Sequence, residues 1–126
     1  MPFVEPREIP DKPWGTETVL AEGPGYQLKR LVYEAGHQGA LQYHPERDEA
    51  FHLAEGEAEV TAGWTWTKGA LYTREMRPGE TFHVPPRMPH KFRAITRCVV
   101  YEASNGAPPA SVNVAEQYGD EDGRAR

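Results

Sequence analysis

Turn-forming residues constrain this chain more than any other feature. Twelve prolines and twelve glycines are spread over 126 residues, so no stretch runs far without a residue that stops a helix or bends a strand. Between them lie short runs rich in Val, Leu, Tyr, Phe and Thr, and none has a sustained helical period of apolar residues. Candidate strands are 16–21, 26–33, 40–44, 50–54, 58–62, 70–73, 81–84, 91–95 and 97–103. Many short strands at this spacing predict an all-β sandwich or barrel. The length suits one domain, 1–126, with no internal repeat. Residues 1–13, with Pro2, Pro6, Pro10 and Pro13, read as an extended N-terminal arm. The polar end, 119–126, reads as a flexible tail, with Val112, Val114 and Tyr118 available to pin the segment before it.

Charge and composition exclude several functions. Fourteen basic against nineteen acidic side chains give a net charge of −5, which argues against nucleic acid as a partner, because phosphate binding needs a basic surface. No apolar run approaches the roughly 20 residues of a membrane helix. The N-terminus lacks a charged head followed by an apolar core, so no signal peptide is expected. Cys98 is the only cysteine. It rules out an internal disulfide, suggests a cytoplasmic setting, and reads as a small core residue of the run Cys98-Val99-Val100-Tyr101.

Two segments carry chemistry. One runs from Gly39 through His44, Glu46 and Glu49 to Gly56. The other runs from Gly79 through Pro85 to His90. His44 ends a candidate strand, and Glu46, two residues on, shares its side of an extended chain. Glu49 adjoins the next strand, and His90 opens a later one after a turn built on Pro85, Pro86 and Pro89. If these strands line one barrel mouth, His44, Glu46, Glu49 and His90 converge there as metal ligands. Imidazole with carboxylate suits one divalent transition metal: Zn, Mn, Fe, Co or Ni. Glu46 has an alternative, pairing with Arg47 or Arg87 and leaving Gln42 or water to complete the site. Gln42 shares the parity of His44 and so can face the cavity. Lys29 and Arg30 point to opposite faces, so at most one of them reaches it. Arg87 is a candidate holder of an anionic group at the mouth. Gln42, Lys29 and Arg87 are therefore the expected substrate-binding residues. His37, His52 and His83 are not expected to be ligands. Trp14, Trp64 and Trp66 are expected to pack.

These motifs resemble those of the cupin superfamily: a histidine, a glutamate, six residues and Gly56, then Gly79, five residues, Pro85, four residues and His90. The resemblance extends to the type II phosphomannose isomerases. Pro13-Trp14-Gly15, Tyr26-Gln-Leu-Lys29-Arg30-Leu31, Leu41-Gln42-Tyr43-His44 with Arg47 and Glu49, and the segment 112–119 ending Gln-Tyr-Gly all resemble that family. Glu46 stands where the family usually has histidine, Arg87 where it commonly has glycine, and Ala94 where it commonly has asparagine. The resemblance implies a cupin jelly-roll barrel and metal-assisted aldose–ketose isomerisation of a sugar or sugar phosphate, with Glu46 as the possible base if it is not a ligand. It also implies a homodimer, since small cupins commonly pair through barrel faces or swapped N-terminal strands, with the arm 1–13 available for pairing. Two other readings stay open: an Fe(II) dioxygenase-like cupin, in which His44, Glu49 and His90 form a two-histidine, one-carboxylate set, and a non-catalytic cupin that binds a small carbohydrate or acid.

Overall fold

A computed structural model describes residues 2–65, 70–107 and 112–113. Among them are eleven strands and no helix: β1 (Arg7–Ile9), β2 (Gly15–Gly23), β3 (Tyr26–Tyr33), β4 (Gln42–Tyr43), β5 (Glu49–Glu55), β6 (Ala58–Ala62), β7 (Tyr72–Met76), β8 (Thr81–Val84), β9 (His90–Ala94), β10 (Cys98–Ser104) and β11 (Val112–Asn113). They form two antiparallel sheets, with strand orders β1-β2-β3-β10-β5-β8 and β11-β4-β9-β6-β7. No described helix is long and apolar enough to cross a membrane.

The alternation of side chains along a strand decides what lies inside. On β6, Ala58, Val60 and Ala62 are buried while Glu59 and Thr61 are less so. Leu31, Leu53, Cys98 and Val100 of the larger sheet meet Ala58, Val60, Ala62, Met76 and Ala94 of the smaller one in a single core. The same parity continues past this core at one end of the strands, and there it places charge. Glu17 shares the parity of Val19, Lys29 that of Leu31, Glu49 that of Leu53, and Glu102 that of Val100. All four charged side chains are buried. One end of the sandwich interior is therefore a layer of buried charge above an apolar floor.

Two expectations change. The proline-rich arm contributes an edge strand: Arg7, Glu8 and Ile9 pair with Val19, Thr18 and Glu17. Pro6 and Pro10 bracket this strand, as suits an edge, where missing N–H donors cost little. The strand expected at 70–73 runs instead over Tyr72–Met76. Trp14 packs, stacked on Tyr33 at 4.3 Å between ring centroids, whereas Trp64 is exposed. Val112 does pin its segment, by pairing with Tyr43 of β4. Trp66, Val114, Tyr118 and the tail 119–126 lie outside the described residues.

Candidate metal centre

Two chain crossings assemble the site. His44 follows β4, and its carbonyl oxygen accepts a hydrogen bond from the Arg87 amide at 2.8 Å. This ties the loop after β4 to the proline turn after β8. Arg87 sits at φ 71°, a left-handed conformation that favours glycine, which accounts for the glycine usual at this position in the resembled family. Gln42 pairs directly with His90 across β4 and β9. Glu49 opens β5 with its side chain turned inward and only 4% of its surface exposed.

His44, Glu49 and His90 bring one donor atom each to within 4.8 Å of one another. Glu49 Oε2 is 3.4 Å from His44 Nε2 and 3.8 Å from His90 Nε2. Two donors bound at ordinary lengths to a shared ion stand roughly 3–3.5 Å apart, so the group needs little adjustment to close on a cation. His90 Nδ1 lies 2.9 Å from the Met88 carbonyl oxygen. A carbonyl only accepts, so Nδ1 carries the proton and Nε2 presents its lone pair to Glu49. Glu49 Oε2 is buried and has no hydrogen-bond partner. An orphaned carboxylate oxygen between two imidazole nitrogens is costly without a cation, and the donor set fits a divalent transition metal.

The other oxygen of Glu49 is firmly held. Its Oε1 is 3.2 Å from Arg47 Nε. Arg47 is itself buried, and its guanidinium also reaches Glu102 at 3.2 Å, Gln27 at 2.7 Å, Ser104 at 3.1 Å and the Ala107 carbonyl at 3.0 Å. The sequence reading placed Arg47 as a possible partner of Glu46 and among the residues that carry the family resemblance, and not as a partner of Glu49. Burial, and then the charge of Glu102, push the Glu49 carboxyl well above the usual carboxylate range. Burial lowers the His90 imidazole to about 4 and so keeps it neutral.

The group opens into a cavity of about 330 Å³ whose lining includes Lys12, Trp14, Glu17, Lys29, Tyr33, Gln42, Phe82, Lys91, Phe92 and Glu102. Gln42 and Lys29 line the cavity, and Arg30 is exposed. Glu46 and Arg87 do not. Both are exposed and neither lines the cavity. The parity argument for Glu46 fails because β4 ends at Tyr43 and Pro45 takes the chain into a bend. His37, His52 and His83 are exposed; His52 lies 2.9 Å from Thr81 and His83 lies 2.7 Å from Asp48. Glu17 was missed, although its parity with Val19 was a usable signal.

Comparison with known proteins agrees with this architecture. The germin-like protein subfamily 2 member 2 of Arabidopsis thaliana is 32% identical over 85 residues, which cover 68% of this chain and 33% of that protein. The chain thus spans about a third of the length of this curated relative. The structure of KdgF from Halomonas sp. matches with a TM-score of 0.65 at 20% identity, over 78% of this chain and 86% of that one. Oxalate oxidase matches at 0.62 and 27% identity, over 71% and 46%. The capsular polysaccharide assembling protein CapF from Staphylococcus aureus matches at 0.70 and 14% identity, over 86% and 34%. The cupin domain family itself matches residues 29–103, and with both motifs and strands β4 to β9 inside that span, the chain belongs to the cupin family.

Proposed function

We propose that this cupin holds one divalent transition metal and interconverts an aldose and a ketose, as sugar or sugar phosphate, in the cavity beside it. The observation that carries the reading is the orphaned Glu49 Oε2 between His44 Nε2 and His90 Nε2. His44, Glu49 and His90 would hold the ion, with Gln42, paired with His90 at the cavity wall, as the fourth donor. A bound ion of this kind supplies Lewis acidity toward a carbonyl and its neighbouring hydroxyl. Arg47 keeps the Glu49 carboxylate aimed at the histidines. Of the three cavity carboxylates, Glu49 is committed to the metal. Glu102, which shares the Arg47 guanidinium with it, then replaces Glu46 as the group that moves a proton between adjacent carbons. Trp14, Tyr33 and Phe92, in ring contact at 4.3 and 4.7 Å, form an apolar wall that excludes water.

The test is exchange of solvent deuterium into D-mannose, D-fructose and their 6-phosphates by the metal-loaded protein. Exchange that is lost in Glu102→Gln at unchanged metal content supports the reading. Absence of exchange in the wild type with every metal from Mn to Zn removes it. A second reading draws on the 27% identity to oxalate oxidase, a protein solved in complex with glycolate: the same two-histidine, one-carboxylate set would serve oxidation of a small acid. Oxygen uptake with glycolate or oxalate after anaerobic iron loading distinguishes the two.

A further inference from the structure

A second polar locus of the cavity takes no part in the metal group. Glu17 comes from β2 and Lys29 from β3, and Lys29 Nζ donates to Glu17 Oε2 at 2.7 Å. Both side chains are about nine-tenths buried, at 10% and 9% exposure, yet both line the cavity. Lys12, a third exposed at the rim, approaches Glu17 Oε1 at 3.5 Å. Glu102 is the register partner of Lys29 across β10. The ammonium therefore lies between carboxylate-bearing strands on both sides. The order β2-β3-β10-β5 separates Glu17 from the strand of Glu49 by three spacings, roughly 14 Å along the wall.

A buried ion pair seldom repays its own desolvation, and apolar side chains would pack this wall at least as stably. What the pair offers is a fixed acceptor beside a fixed donor. A hydroxyl group donates and accepts, so two neighbouring hydroxyls can satisfy Glu17 and Lys29 together. An ionised phosphate or carboxylate is an anion that would be repelled by Glu17. The geometry points to Glu17–Lys29 as a recognition subsite for neighbouring hydroxyl groups of a polyhydroxylated ligand, on the far side of Glu102 from His44, Glu49 and His90. This rests on the cavity being the substrate site, as proposed above, and narrows the substrate to one with adjacent hydroxyls.

The experiment is saturation-transfer NMR on the full, metal-loaded chain, with D-mannose, mannose 6-phosphate and inorganic phosphate as probes. Both sugars are expected to bind and inorganic phosphate not to displace them. Glu17→Gln leaves the Lys29 charge stranded and should lower the melting temperature, and in the protein that remains folded it should weaken both sugars at least tenfold at unchanged metal content. The double variant Glu17→Gln, Lys29→Met removes both charges, so it leaves none stranded if the single variant misfolds, and it should show the same loss. Unchanged sugar affinity in a folded variant overturns the subsite. So does failure of either sugar to bind the wild type, or phosphate binding that depends on Lys29. Sugar binding that depends on Glu17 without any deuterium exchange would remove the isomerase reading and leave the subsite standing.

Discussion

Replacing Arg47 by methionine tests whether the charge layer is organised as described. Methionine keeps most of the aliphatic stem and removes the guanidinium. Glu49 and Glu102 then lose the cation that each meets at 3.2 Å, and three further acceptors, on Gln27, Ser104 and Ala107, lose their donor. Removing one partner of a buried ion pair typically costs about 3–5 kcal/mol, because the remaining charge is stranded. For 126 residues the unfolding entropy is about 0.26 kcal/mol per degree, so each kcal/mol is worth about 4 °C. The chelated protein should therefore melt about 12–20 °C lower in calorimetry. The metal-loaded variant should lose less, since a bound cation takes over part of the guanidinium's role beside Glu49. A drop under about 4 °C in chelated protein, or an equal drop with and without metal, would refute the reasoning.

Glu49→Gln should weaken metal binding by on the order of 100-fold or more, while Glu46→Gln should leave stoichiometry and affinity unchanged, as read by elemental analysis and by titration with Co²⁺. The pH dependence of the metal-free protein follows from two opposed shifts. Glu49 is raised, so its contribution is present at low pH and lost as pH climbs through neutrality; His90 is lowered to about 4, so its contribution is lost as pH falls below the ordinary histidine range. Metal-free protein should thus lose stability from about pH 6.5 upward, whereas metal-loaded protein should gain over the same range because protons compete for the ligands; denaturant melts at pH 6, 7 and 8 read both signs. Gly56→Ala should cost about 2–4 kcal/mol, since φ there is +98° and a methyl group would overlap the Arg97 carbonyl oxygen; a chevron or equilibrium melt measures it.

Local signals made the strands legible. Proline and glycine mark their ends, and period-two alternation marks their inner faces, so 26–33, 58–62 and 81–84 agree with β3, β6 and β8 to the residue. His44, Glu49 and His90 were equally legible, because each lies at a strand end that the motif spacing fixes. Glu46 and Arg87 were not. Parity transfers from one residue to the next only while the chain stays extended, and Glu46 lies in a bend beyond β4; Arg87 lies in the turn beyond β8, where no strand parity fixes its direction. Arg47 and Glu17 were hidden for a different reason. Their importance comes from partners far along the chain, Glu102 fifty-five residues from Arg47 and Lys29 twelve from Glu17, and such pairings exist only once the register of the sheets is known.

That register also explains why a cation belongs at Glu49 rather than elsewhere in the barrel. Among the described residues, the buried acids are Glu17, Glu49 and Glu102, and the buried bases of fixed charge are Lys29 and Arg47. His90, lowered to about 4, adds no charge near neutrality. The layer is thus one positive charge short, in surroundings where uncompensated charge is expensive. Lys29 is spoken for by Glu17 at 2.7 Å, and Arg47 spans Glu49 and Glu102 with its remaining donors on neutral oxygens. The deficit falls on Glu49 Oε2, the buried oxygen without a partner. Two species can fill it: a proton, which is why that carboxyl is pushed upward, or a metal ion, for which His44 and His90 supply the other donors. Proton and metal compete for one oxygen, and that competition makes the pH dependence change sign when the ion is bound.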